Sequence, residues 1–558
     1  MDPHRTALRQ QARPFAARAR LQALAIAIVM AGCTPLSIAE GPTHVITVDV
    51  QQDRRPISPL IYGVNWASTA QLAELNSPFN RHGGNATSRY NWKLNASNRG
   101  RDWYYQSSGE PDASPGELVD TFIADTRAAG AEPTITMPLM DWLGKLGPDR
   151  IPLGSFSIKK YGPQTGHAPK GNPDFGNGIR VGGKYVTGND PNDAHVRVDS
   201  AFKREWVQHL VDRWGRTGAG GVRYYTLDNE PSIWHANHRD VHPTGLTMRD
   251  LRDRIIDHAR VIKEVDPNAL VLAPEEWGWT AYHRSGYDQQ WGALNGWGGT
   301  LPDRAANGDW PYLPWLLDQM RREHERTGKR VLDIFSVHFY PQGGESSDDL
   351  SEEKQLLRNR STRSLWDPTY RDESWIDDNP HVIRRLRQWV NTYYPGTPIA
   401  ITEYDWGAEN HISGAVAQAD VLGIFGREGL DIAARWEAPA PGTPVFNAIK
   451  LYRNYDGRNA TFGETTVRAA VENPDVVAAF AAERSADGAL TVMVLNKQLR
   501  TPATVEMDLG SFKPGGAVER WQLDAKNVIT KRTDAPVSGR KVTATVPAQS
   551  VSLFVVPR

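Results

Sequence analysis

Between residues 60 and 440, short β-branched apolar runs alternate with longer amphipathic segments, and this alternation constrains the fold more than any other feature. The runs at 61–66, 78–85, 133–140, 222–230, 269–277, 331–340, 398–406 and 430–437 read as eight strands. Helical spacing fills the intervals. Over 116–130 it places Leu118, Phe122 and Ile123 on one face, and over 201–214 Phe202, Trp206, Val207, Leu210 and Val211. A helix over 248–265 follows Thr247, a residue suited to N-capping, and stops before Asp266-Pro267. Segments 311–322 and 381–394 obey the same rule. Strands and helices in this order predict an α/β fold, a (β/α)₈ TIM-like barrel over 60–440. The competing doubly wound sheet would normally carry a Gly-rich phosphate turn after its first strand, and none is present.

After about residue 445 the pattern changes. Alternating, turn-punctuated runs at 490–495, 504–509, 518–523 and 542–557 predict a smaller antiparallel β-sandwich. The run Val45-Ile46-Thr47-Val48-Asp49-Val50 also alternates, so residues 44–58 are assigned to that domain together with 445–558. Long polar insertions at 143–198 and 341–380 fall inside the barrel range, where loops of this length are usually functional.

The N-terminal 39 residues read as an export leader. Arg5, Arg9, Arg13, Arg18 and Arg20 precede an apolar run over 21–32, too short for a permanent span. Met30-Ala31-Gly32-Cys33 resembles a bacterial lipoprotein box, which would place a lipid on Cys33, the single cysteine. The competing reading is cleavage after Ser37-Ile38-Ala39 with full secretion. The chain has 64 Lys+Arg against 65 Asp+Glu, a balance that argues against nucleic acid as a partner.

Two of the predicted strands end in glutamates: Glu230, within Asp228-Asn229-Glu230-Pro231, and Glu403, within Thr402-Glu403-Tyr404. Barrel active sites lie at the C-terminal strand ends. Two carboxyl groups facing each other about 5 Å apart are the requirement for glycoside hydrolysis with retention. Asn229 would hold a sugar hydroxyl beside the reacting carbon, and Tyr340 at the end of the sixth strand would reach Glu403. His338 lies two residues back on the same strand face. The 19 tryptophans supply candidate sugar platforms. Trp66, Trp92, Trp142, Trp234, Trp277, Trp366 and Trp406 fall at strand ends or in rim loops, with Trp406 favoured by its place after Glu403.

Several long motifs carry a family resemblance. They are Leu227-Asp228-Asn229-Glu230-Pro231-Ser232-Ile233-Trp234-His235 and its continuation His238-Arg239-Asp240-Val241-His242-Pro243, then Gly83-Gly84-Asn85 and Arg89-Tyr90-Asn91-Trp92. Phe335-Ser336-Val337-His338-Phe339-Tyr340-Pro341-Gln342 and Ser364-Leu365-Trp366-Asp367-Pro368-Thr369-Tyr370 complete the set. From about residue 45 to the end, the chain resembles glycoside hydrolase family 44. The resemblance implies a barrel with a β-sandwich and retaining, endo-acting cleavage of β-1,4-glucans, including xyloglucan. It implies Glu230 as acid/base and Glu403 as nucleophile, with Asn85 on the substrate side. His82 stands where an apolar or aromatic residue is expected. No cofactor is expected for the chemistry, and the enzyme is expected to be a monomer. The resemblance also implies a structural calcium near Asn189-Asp190-Pro191-Asn192-Asp193, through Asp190 and Asp193; a solvated turn with side-chain caps is the alternative. His235, His238 and His242 are spaced too loosely for zinc and are read as loop hydrogen-bonding residues. Other readings of the whole are a xylanase or mannanase on the same barrel, or a non-catalytic carbohydrate-binding surface lipoprotein.

Overall fold

The computed structural model describes residues 43–111, 113–169 and 172–558, so the expected leader and Cys33 lie outside the described residues. Eight parallel strands close a barrel: Gly63–Asn65, Phe79–Arg81, Glu132–Met137, Tyr224–Leu227, Leu270–Glu276, Ile334–His338, Ile399–Glu403 and Ile432–Arg435. The eighth returns to the first through Ala434↔Gly63 and Arg435↔Val64. After each strand the chain passes through one helix of the outer layer: Thr69–Leu75, Glu117–Ala128, Ser200–Trp214, Met248–Val265, Tyr312–Thr327, Val382–Tyr393, Ile412–Glu428 and Pro444–Arg453. Thr247 caps Met248–Val265 in a reciprocal box with Asp250, which satisfies two of its free backbone donors. That helix buries Leu251, Ile255, Ala259 and Ile262 along one stripe, the leucine and the two isoleucines each contributing about 1.5–3 kcal/mol of burial energy.

Ile412–Glu428 differs from its neighbours in being buried almost all the way round. Its sequence offers no polar face, as a helix covered on both sides requires. The outer cover is the second domain, whose strands Val477–Glu483, Leu490–Asn496 and Ser550–Val556 pack on it. A buried ion pair, Lys497 Nζ to Asp420 at 2.7 Å, crosses this junction, and Thr362 donates to the same carboxylate.

The second domain departs from the expected antiparallel sandwich. It is one mixed sheet of 11 strands. Thr43–Asp49 lies between Thr465–Ala470, antiparallel, and Ala503–Asp508, parallel. A strand delivered from the opposite end of the chain has no hairpin to dictate its direction, so the parallel pairing is open to it. Side chains from both wings of the sheet share one apolar core, among them Ile46, Val48, Val492, Met507 and Phe554. The barrel also runs further than 440, because its last helix, Pro444–Arg453, occupies residues expected to belong to the smaller domain.

Candidate active site

Glu230 and Glu403 lie at the ends of the fourth and seventh strands, with His338 at the end of the sixth. One ligand atom from each of the three lies within 4.8 Å of the others. His338 Nδ1 is 3.0 Å from Glu230 Oε1 and 3.4 Å from Glu403 Oε2. Tyr340 donates its hydroxyl to Glu403 Oε2 at 3.0 Å. The backbone is strained at this point: Asp228, Glu230 and Glu275 all have φ in the left-handed region, at 64°, 47° and 58°. Such strain concentrates where a structure must aim a side chain.

The residue that organises the pocket is Arg81, at the end of the second strand and fully buried. Its Nη1 donates to Glu403 Oε1 at 2.7 Å and to Asn65 Oδ1 at 3.0 Å. Its Nη2 donates to Glu275 Oε2 at 2.8 Å and to Asn229 Oδ1 at 3.3 Å. Glu275 also meets His338 Nε2 at 3.2 Å and accepts from Thr402. Three carboxylates and two cationic groups therefore interlock with almost no exposure to solvent.

Burial alone would raise Glu275, but Arg81 and then His338 hold it at about 2. Burial would strip His338 of its proton, yet Glu403, Glu230 and Glu275 together raise it to about 9. For Glu230 burial is the largest influence and pushes upward; His338 pulls down, Glu403 pushes up again, and the balance is upward. The pocket thus holds Glu275 ionised and pushes Glu230 toward its protonated form, the form a general acid needs.

Asn229 is locked rather than free. Its Oδ1 accepts from Arg81 and from Gly84 N, and its Nδ2 donates to Asn85 Oδ1 at 3.2 Å. The Gly83-Gly84 turn is the close-approach point of the rim. A Cβ on Gly83 would lie 2.1 Å from the Arg81 guanidinium, and one on Gly84 (φ +88°) 2.4 Å from the Trp436 ring. Trp66 steadies this turn by donating to Gly83 O at 2.9 Å. His82 is packed against the rings of Trp66, Phe122 and Tyr90. Burial, then the charge of Arg81, depress its pKa to about 3, so it serves as the neutral aromatic residue the position calls for.

Several expected platforms are corrected. Trp406 is buried against Phe339 and Tyr404, with its indole bonded to Ser361 Oγ at 3.1 Å. Trp234 is buried too, and donates to Asn229 O at 3.0 Å. Trp92 packs on Phe202 and His209, and the Arg427 guanidinium covers Trp366 at 4.2 Å. None of these four presents a free face to a sugar, because position after a strand end does not say which way a ring turns. Trp142 is half-buried in the two-stranded sheet it forms with His195–Arg197, and Trp277 is half-buried and bonded to Gln289. Asp190 and Asp193 are each engaged by neighbouring side chains and backbone of the insertion at 143–198. Asp190 caps Asn192 N, while Asp193 holds Lys160 and Tyr161. Among the described residues, one group of three His, Asp or Glu side chains brings its ligand atoms within 4.8 Å of one another: Glu230, His338 and Glu403. His238 is taken by Arg89.

Sequence reasoning missed Arg81, Asn65, Glu275, Trp436 and Trp375. Glu275 carried a usable signal, since Glu275-Glu276 ends a predicted strand as Glu230 and Glu403 do. Trp375 is 55% exposed in the insertion at 341–380, and it donates to Gln342, which in turn bonds the backbone of Tyr340.

A sequence profile described as glycoside hydrolase family 44 matches residues 96–343. Endoglucanase A of Paenibacillus lautus is 32% identical over 95% of this chain and 75% of its own length. The chain belongs to glycoside hydrolase family 44. Two solved structures agree with that membership. A bifunctional glucanase-xylanase from a metagenome library, CelM2, is 56% identical with a TM-score of 0.92, over 93% of this chain and all of CelM2. A family 44 xyloglucanase from Paenibacillus polymyxa is 31% identical with a TM-score of 0.77, over 93% and 100% of the two chains. This family 44 protein is therefore a glycoside hydrolase, and the ion-paired rim around Arg81 is its candidate active site.

Proposed function

We propose that the enzyme is a retaining endo-β-1,4-glucanase acting on cellulose-type glucans and xyloglucan. The observation that carries this reading is the close approach of Glu230 and Glu403, with carboxyl oxygens within 4.8 Å. That gap leaves no room for an interposed water and suits direct attack. Glu403, its oxygens aimed by Arg81 and Tyr340, attacks the anomeric carbon, while Glu230 gives its proton to the departing glycosidic oxygen. The glycosyl ester so formed removes the Glu403 charge, and with it one influence that keeps Glu230 protonated. Glu230 can then take a proton from water, which attacks the same carbon and frees Glu403. Two inversions return the β-anomer. Trp436, beside the Gly83-Gly84 turn, and exposed Trp375, linked through Gln342 to the Tyr340 backbone, are the sugar platforms of this reading.

Proton NMR of the first product tests the mechanism: β-anomer is expected, and initial α-product would overturn it. A panel of carboxymethyl-cellulose, xyloglucan, xylan and glucomannan tests the substrate, and failure on the first two would sink the glucanase reading. The likeness to a bifunctional glucanase-xylanase favours xylan as a second substrate. We also propose export, with Cys33 as lipid anchor; a Cys33→Ser chain should move from the membrane fraction to the medium.

A further inference from the structure

We propose that Glu230, His338 and Glu403 also form a binding site for a divalent transition metal, Zn²⁺ or Cu²⁺, and that metal and sugar substrate exclude each other. The inhibitory half of this statement rests on the proposed active site; the binding half does not.

The argument is geometric. Around a tetrahedral zinc with bonds of about 2.1 Å, neighbouring donor atoms stand about 3.4 Å apart. His338 Nδ1 already lies 3.0 Å from Glu230 Oε1 and 3.4 Å from Glu403 Oε2. The remaining edge of the triangle is within 4.8 Å and closes by rotation of Glu230, the most exposed of the three side chains. The far nitrogen of His338 meets the buried carboxylate of Glu275 at 3.2 Å. A carboxylate behind a ligating histidine is the arrangement that fixes the ring and strengthens its metal bond. Charge agrees as well. A metal displaces the protons on His338 and Glu230, after which Glu230, Glu275 and Glu403 face one buried guanidinium, Arg81, so zinc affinity should rise with pH as those protons leave. An imidazole nitrogen with two carboxylates selects zinc or copper; calcium would need six or more oxygens, which these three side chains do not supply. A metal here ties up both carboxyl groups that would meet the sugar, so the two ligands compete for the same atoms.

Isothermal titration calorimetry of the full chain with zinc sulfate, in a buffer that does not chelate, tests the site. One zinc per chain is expected, weakened at least tenfold in both Glu230→Gln and His338→Gln. Glu275→Gln, which alters the carboxylate behind the far nitrogen of His338 and leaves the three proposed ligands in place, should weaken zinc about 10–100-fold. X-ray absorption on the zinc complex should show one imidazole in the shell, and zinc should inhibit hydrolysis competitively. No binding, or unchanged affinity in both Glu230→Gln and His338→Gln, would overturn the proposal, as would non-competitive inhibition. Glu230→Gln alters a partly exposed side chain, so it keeps the test valid if the His338 variant fails to fold. Binding is read without turnover. An enzyme inactive on every glucan would therefore defeat the proposed function while leaving the zinc result legible.

Discussion

The charged cluster at the barrel's candidate active site and the core of the 11-stranded sheet are both largely buried, yet they are built from opposite materials. The sheet core is aliphatic, with Ile46, Val48, Val492 and Met507 on alternating strand positions. The rim buries Arg81, Glu275, His338 and Glu403 at comparable exposure. Burying apolar groups is favourable in itself; burying charge is tolerated only when every charge finds a partner. Local propensity, pattern and packing agree throughout the sheet. At the rim they are overruled, and the φ values of Asp228, Glu230 and Glu275 record the cost. The difference locates function: a fold gives up stability where it needs chemistry and gathers it where it does not.

The sharpest way to break this contrast is to neutralise a rim carboxylate. Glu403→Gln is expected to abolish hydrolysis while the chain keeps its fold. Glu230→Gln should lose about 10²–10⁴-fold in kcat on natural glucans. With aryl glycosides whose leaving group needs no proton, much of the first step should return. Turnover near the unaltered rate in both variants would mean that the rim is not the site.

The next test compares matched damage in the two regions. Arg81→Met removes the guanidinium that faces Glu275 and Glu403 and leaves them only His338 as a cationic partner, and should cost about 3–5 kcal/mol in urea unfolding together with nearly all activity. Met507→Ala, in the sheet core, should cost about 2–5 kcal/mol but leave kcat and KM unchanged. A Met507 variant that lost activity in its folded state would show that the sheet does more than brace the barrel.

The same contrast explains which features are legible in the amino-acid sequence and which are not. All eight barrel strands are legible because apolar runs of that length have few other uses. Glu230 and Glu403 are legible because they end such runs. Helix Ile412–Glu428 is not, since burial on both sides erases the amphipathic period that marks a surface helix. Arg81 escapes notice because a lone arginine at a strand end looks like any surface cation; only closure of the barrel brings Glu275 and Glu403 to it. Trp406 and Trp234 mislead for the converse reason. Their chain positions are right for a cleft, but their rings turn inward to Ser361 and to the backbone of Asn229.

A smaller effect should appear in pH. His338 holds its proton up to about pH 9 in the folded chain, against 6.5 for an ordinary histidine. Its raised pKa stabilises the fold fully below 6.5, and this contribution is lost as the pH rises through 9, in total about 3 kcal/mol. The stability advantage of the unaltered enzyme over His338→Gln, read from urea midpoints at pH 6, 7.5 and 9, should therefore shrink steadily. A constant difference would mean that the rim does not hold a cationic imidazole.

The mildest test separates the two kinds of tryptophan. Trp375 is exposed and bonded only at its nitrogen, so Trp375→Ala should leave stability within about 0.5 kcal/mol of the parent. A stacked sugar lost from its face is worth about 0.5–1.5 kcal/mol, which appears as a KM on xyloglucan raised about 2–12-fold at nearly constant kcat. Trp406→Ala should do the reverse, costing about 3–5 kcal/mol of stability because a buried indole leaves a cavity. If Trp375→Ala left KM untouched, the loop that carries it would lie outside the cleft, and the platform role would fall to Trp436, whose ring the Gly83-Gly84 turn brings against the rim.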